Sequence, residues 1–173
     1  MFLTYGCTNS DEVADELIEY HNNDWLKFKN MNDEKLGPIA SEIVTLILRD
    51  DHKGVELLIK EEFFPAVSEI VDYLEGIELE HKEVQALNQL MIEVKKDSYN
   101  QFQETAKVLE SGDEKKIQER FEKHSEYLDE QNEIYDNFYE KRDQLVKKYD
   151  IYWIKEYEED GERIDKMERK EDD

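Results

Sequence analysis

From Ile117 to Tyr152 the chain repeats its apolar positions in alternating steps of four and three. Ile117, Phe121, Leu128, Tyr135, Phe138, Leu145, Tyr149 and Tyr152 carry the stripe, and His124, Gln131 and Arg142 fall on it as polar members. That rhythm predicts one long helix whose seam packs against partner helices. The three polar members read as register-setting hydrogen bonds or charge pairs between helices, or else as a polar groove that holds a ligand.

Similar periodicity predicts helices upstream. Val13, Leu17, Tyr20 or His21, Trp25, Phe28 and Met31 form a stripe capped by Asn9 or Ser10 and expected to stop between Asn32 and Gly37. Pro38 suits the first turn of a new stretch that buries Ile39, Ile43, Leu46 and Ile47 and is interrupted at Asp50–Gly54. The pattern resumes from Val55 to Leu74, where Pro65 predicts a kink or a new start. A helix from about Glu80 to Leu109 follows. Ser111-Gly112-Asp113 then reads as a tight turn, in which Gly112 ends one helix and Asp113 caps the next.

The expected fold is all-α, an elongated antiparallel three- or four-helix bundle with coiled-coil-like packing over residues 11–154. Tyr152, Trp153 and Ile154 dock on a bundle end or form an exposed interaction patch. Residues 155–173 are nearly all charged and read as an acidic tail, either a solvated helical extension or disordered.

Composition sharpens this picture. Charged residues (40%) outnumber hydrophobic ones (38%) in 173 residues, which suits one domain of long amphipathic helices rather than a thick core. The net charge of −23 leaves no basic stripe for a nucleic acid and favours a basic partner or cation-rich surroundings. No Ser-His-Asp order, P-loop or dinucleotide fingerprint appears, so a non-enzymatic role is expected, with no catalytic residue and no cofactor. Asp50, Asp51 and His52 read as a solvated loop cluster rather than a metal site. Glu78 and His81 have the Glu-x-x-His spacing of di-iron bundles, but no second copy occurs at His21, His52 or His124, so no metal set is assigned.

The single cysteine, Cys7, excludes an internal disulfide. It follows Phe2-Leu3-Thr4-Tyr5-Gly6 and precedes polar Thr8-Asn9-Ser10. This resembles the end of a bacterial lipoprotein signal peptide, in which a small residue precedes the lipid-accepting cysteine. Leu3 stands four places before Cys7, where that pattern has its leucine three before. Residues 1–10 are then the remnant of a lipoprotein signal and tether; otherwise Cys7 is an ordinary residue of a frayed terminus.

A wider likeness runs from Glu61 to Tyr152. Glu61, Pro65, Leu74, Ile77, Glu83-Val84, Leu87, Tyr99, Phe102, Gly112-Asp113 and Lys147-Lys148-Tyr149 carry it. This segment resembles small helical lipoproteins of Gram-positive bacteria, including cell-wall-binding lipoproteins of bacilli and staphylococci. The resemblance implies a lipid anchor at Cys7, a place on the extracytoplasmic face of the cell membrane, and a protein or cell-envelope partner. The alternative is a cytoplasmic acidic coiled-coil adaptor whose heptad face from Ile117 to Tyr152 recruits a partner helix.

Overall fold

The computed structural model describes residues 9–157 and 163–169. Cys7 lies outside the described residues, and of His124 only the backbone is described.

Four helices run up and down, and a two-stranded hairpin follows them. The first helix covers residues 9–48, the second 52–75, the third Lys82–Ser111 and the fourth 114–148, the last interrupted at Lys123. The turns at 49–51 and 112–113 share one pole, where the rings of His52 and Phe121 lie 5.9 Å apart. The start of the first helix, the 76–81 loop and the end of the fourth helix share the other. There Glu16 accepts the His81 N–H at 3.0 Å, and the Tyr149 hydroxyl donates to Glu83 at 2.6 Å.

The third helix, not the fourth, organises the molecule, because it packs against each of the other three. Its Val84, Leu87, Met91 and Val94 are fully buried. The core has two parts. One gathers Leu17, Phe28, Ile70, Leu74, Leu87 and Phe138 near the hairpin. The other gathers Ile43, Val55, Ile59, Phe63, Leu109 and Ile117 toward the opposite pole. A polar layer separates them. In it the Tyr127 hydroxyl donates to Ser98 Oγ at 2.8 Å, Gln131 Nε2 donates to the Val94 carbonyl at 3.2 Å, and Lys95 donates to Asn32. Burial brings the Lys95 ammonium down to about 8.

The first helix does not stop near Gly37. It passes through π-helical turns at Tyr20–Trp25 and Asn32–Leu36 and runs on to Leu48. Pro65 is accommodated in the same way, after a π-helical turn at Ile59–Phe63. Pro38 and Pro65 each sit two residues beyond such a turn. Proline lacks the N–H of an α-helical bond and its ring crowds the carbonyl four residues back. A wider turn with i→i+5 bonding loosens that crowding, and the chain stays helical.

The predicted continuous helix from 117 to 152 is corrected twice. It breaks at Lys123, where ψ is −9°, and the buried face then passes through Tyr127 (7% exposed) rather than Leu128 (48%). It also ends at Lys148, because Asp150 takes a positive φ of 52° and turns the chain into a strand.

The all-α expectation gives way at the C-terminal end. Ile151–Tyr157 (β1) pairs antiparallel with Arg163–Arg169 (β2), Ile151 opposite Arg169 and Tyr157 opposite Arg163. Much of the segment read as a helical or disordered acidic tail is therefore strand. β-Branched and aromatic side chains at Ile151, Tyr152, Trp153, Ile154 and Tyr157 favour extended backbone, and Asp160-Gly161 lies between the strands in sequence. A lone two-stranded hairpin is marginal in water, so docking must hold it. Ile151 and Met167 enter the core. Asn22 donates to the Met167 carbonyl at 2.9 Å and accepts the Met167 N–H at 2.8 Å, so its carboxamide replaces a neighbouring strand. Arg169 donates to the Asp11 carbonyl and pairs with Asp15. Among the described residues no helix is long and apolar enough to cross a membrane.

Candidate functional site

The hairpin, the first helix and the fourth helix enclose a cleft of about 870 Å³. The π-helical turn at Tyr20–Trp25 supplies its floor from His21 and Trp25. Trp25 stacks on Phe138, with ring centroids 4.3 Å apart, and so is fixed by the core. His21 meets the Trp153 ring edge-on at 5.0 Å, and its Nε2 donates to the Asp165 carbonyl at 3.0 Å.

Arg142 enters from the fourth helix and lies between two rings. Its guanidinium is 4.9 Å from the Tyr139 centroid and 4.6 Å from the Trp153 centroid. Nη2 also donates to Asp143 at 2.9 Å, and the side chain is 15% exposed. Each cation–π contact contributes roughly 0.5–2 kcal/mol, more as water is excluded. Arg163 Nε and Nη2 grip the Asp165 carboxylate, each at 2.7 Å, and Lys29 pairs with Asp33 at 3.4 Å. In a chain of net charge −23, four cations thus gather at one cleft, Lys29, Arg142, Lys155 and Arg163. The exposed rings of Tyr139 and Trp153 flank them. Such a surface can hold a planar or apolar group beside a hydrogen-bond acceptor.

Burial drives the His21 imidazole down to about 4; nearby Arg142 lowers it too, while the Asp165 carbonyl opposes both. At neutral pH the ring is uncharged, and its buried Nδ1 has no hydrogen-bond partner among the described residues. Protonation is favoured in the unfolded chain below about 6.5 and in the folded chain only below about 4. The contribution of neutral His21 is therefore full above 6.5 and is lost as pH falls toward 4. The wild type should lose up to about 3 kcal/mol more than His21→Gln between pH 7 and pH 4. Urea denaturation of both proteins at the two pH values measures this, and equal losses would refute it.

Of the residues singled out in the sequence, the structure brings Arg142 and Trp153 together. Gln131 lies elsewhere, in the polar layer. Tyr152, Trp153 and Ile154 do not form one patch, because strand side chains alternate between faces. Tyr152 and Ile154 take the face opposite Trp153, and the Tyr152 hydroxyl donates to Glu168 at 2.8 Å. Sequence reasoning missed Asn22, Tyr139, Arg163 and Asp165, and saw in His21 only an alternative stripe position. The available signal was the β-branched and aromatic run after Asp150 with a second alternating segment past Asp160-Gly161.

The Glu-x-x-His segment lies in the 76–81 loop, where His81 Nδ1 is 3.1 Å from Glu16. Among the described residues no group of three or more His, Cys, Asp or Glu side chains is placed to hold a metal ion. Comparison of the chain with protein families, characterised proteins and solved structures finds no match.

Proposed function

We propose that the chain is a non-enzymatic binding protein, tethered through lipid on Cys7 to the extracytoplasmic face of a Gram-positive cell membrane. It meets a protein or cell-envelope partner with the cleft beneath the hairpin. The observation that carries the binding role is Arg142 held between Tyr139 and Trp153 at the mouth of that cleft. Three of the four cations there are tied to structural partners, Arg142 to Asp143, Arg163 to Asp165 and Lys29 to Asp33, which suits recognition better than proton transfer. The tether rests on Gly6-Cys7 and on the likeness of residues 61–152 to small helical lipoproteins. Coiled-coil-like packing of the helices belongs to the same proposal, supported by the inward positions Tyr135, Phe138, Leu145 and Tyr149.

A second reading, a cytoplasmic adaptor that binds a partner helix, draws on a different surface. Val44, Leu48 and Leu57 are exposed where the first two helices meet, and apolar side chains there can receive an amphipathic helix.

Intact mass and membrane partitioning of the protein from its native host decide between them. The expected result is a diacylated N-terminal cysteine in the membrane fraction, with Cys7→Ser shifting the protein to the soluble fraction. An unmodified soluble chain retaining Met1 would overturn the tether and leave the adaptor.

A further inference from the structure

A second cleft, of about 860 Å³, lies between the first helix, the end of the second helix and the 76–81 loop. Among the described residues eight carboxylates line it, and no lysine or arginine does. Three are committed, Asp15 to Arg169, Glu16 to His81 and Asp24 to the Tyr73 hydroxyl. Glu12, Glu19, Asp72, Glu78 and Glu80 have no ion pair among the described residues.

A second observation is independent of this charge. Tyr20 also lines the cleft, is only 2% exposed, and its hydroxyl has no hydrogen-bond partner among the described residues. Burying a hydroxyl unpaired is unfavourable, and a ligand that supplies a donor relieves the loss. Burial, with Asp24 next in effect, holds this phenol well above its usual range, so it stays neutral.

The walls decide the class of ligand. Tyr73, Ile77 and Leu79 present apolar surface between the acids. Among the described residues no three metal-ligating side chains converge, which does not suit a bare divalent ion. A methylene chain ending in an ammonium fits both features, because the chain covers the apolar walls and the ammonium has three N–H donors and no acceptor. We propose that this cleft binds a primary alkylammonium group, carried by a linear polyamine or by a lysine side chain of a polypeptide, with the Tyr20 hydroxyl oxygen accepting one N–H. The proposal does not rest on the lipid tether or on the Arg142 cleft.

Calorimetric titration of the full chain at physiological salt tests it, with spermidine and a lysine-rich peptide as probes. Saturable binding of at least one is expected, and which one binds identifies the source of the ammonium. Tyr20→Phe should weaken that binding about tenfold while leaving the melting temperature of the free protein unchanged or higher. The pair Glu12→Gln with Glu78→Gln should weaken it at least as much, so the test survives if Tyr20→Phe folds poorly. Glu130→Gln with Glu133→Gln, an equal charge change on the exposed face of the fourth helix, should leave affinity within about twofold. No binding of either probe, an equal loss in the Glu130 and Glu133 control, or no effect of a well-folded Tyr20→Phe would overturn the proposal.

Discussion

Phe138→Ala is expected to lower the unfolding free energy by about 3–5 kcal/mol, whereas Leu128→Ala lowers it by less than about 1 kcal/mol. Both residues lie on the same sequence stripe, so periodicity alone ranks them together. The structure separates them. Phe138 is fully buried and stacked on Trp25, so truncation leaves a cavity in the core near the hairpin. Leu128 is half exposed, because the break at Lys123 hands its place to Tyr127. Truncating an exposed leucine removes little buried area and opens no cavity. Urea melts of the two variants check the register of the fourth helix. Equal losses, or a larger one at Leu128, would mean the helix runs unbroken through Lys123.

Met167→Ala is the second large effect, at about 2–5 kcal/mol. Met167 is fully buried, and opposite it in the ladder stands Trp153. A hairpin with little stability of its own cannot absorb that loss, so it should leave the helices before they unfold. Hydrogen exchange should then speed up across β1 and β2 while Leu87 to Val94 of the third helix stays protected. Uniform acceleration over all four helices would show instead that hairpin and bundle form one cooperative unit.

The helices were legible because amphipathic stripes need no knowledge of their partners. Gly112, with φ of 61°, and Asp113, which accepts the Lys116 N–H at 3.3 Å, do what their residue types dictate at such a turn. Pro38 and Pro65 stand in the first turns of Gly37–Leu48 and Phe64–Glu75, as their residue type predicts, but a proline does not tell that a π-helical turn carries the chain into each of them without a stop. The strands were hidden by charge. Along β2 only Ile164 and Met167 are apolar, and a single methionine carries the buried face. The partner that satisfies its backbone, Asn22, is far away in sequence and sits on a helix. No local pattern encodes that pairing. Arg142 stood out as a polar member of an apolar stripe, but the two rings that hold it come from different neighbourhoods, Tyr139 from its own helix and Trp153 from the strand.

The two poles make the molecule directional. Arg169 grips Asp11 and Asp15, so the hairpin closes beside the start of the first helix, and both clefts lie toward that pole. The third helix, at 30 residues, sets a standoff of about 45 Å to the turns at 49–51 and 112–113. Anything joined ahead of Asn9 keeps the clefts close to its point of attachment and holds those turns out at arm's length. A reporter placed at Gly112 would therefore ride clear of both clefts, whereas one fused ahead of Asn9 would crowd them.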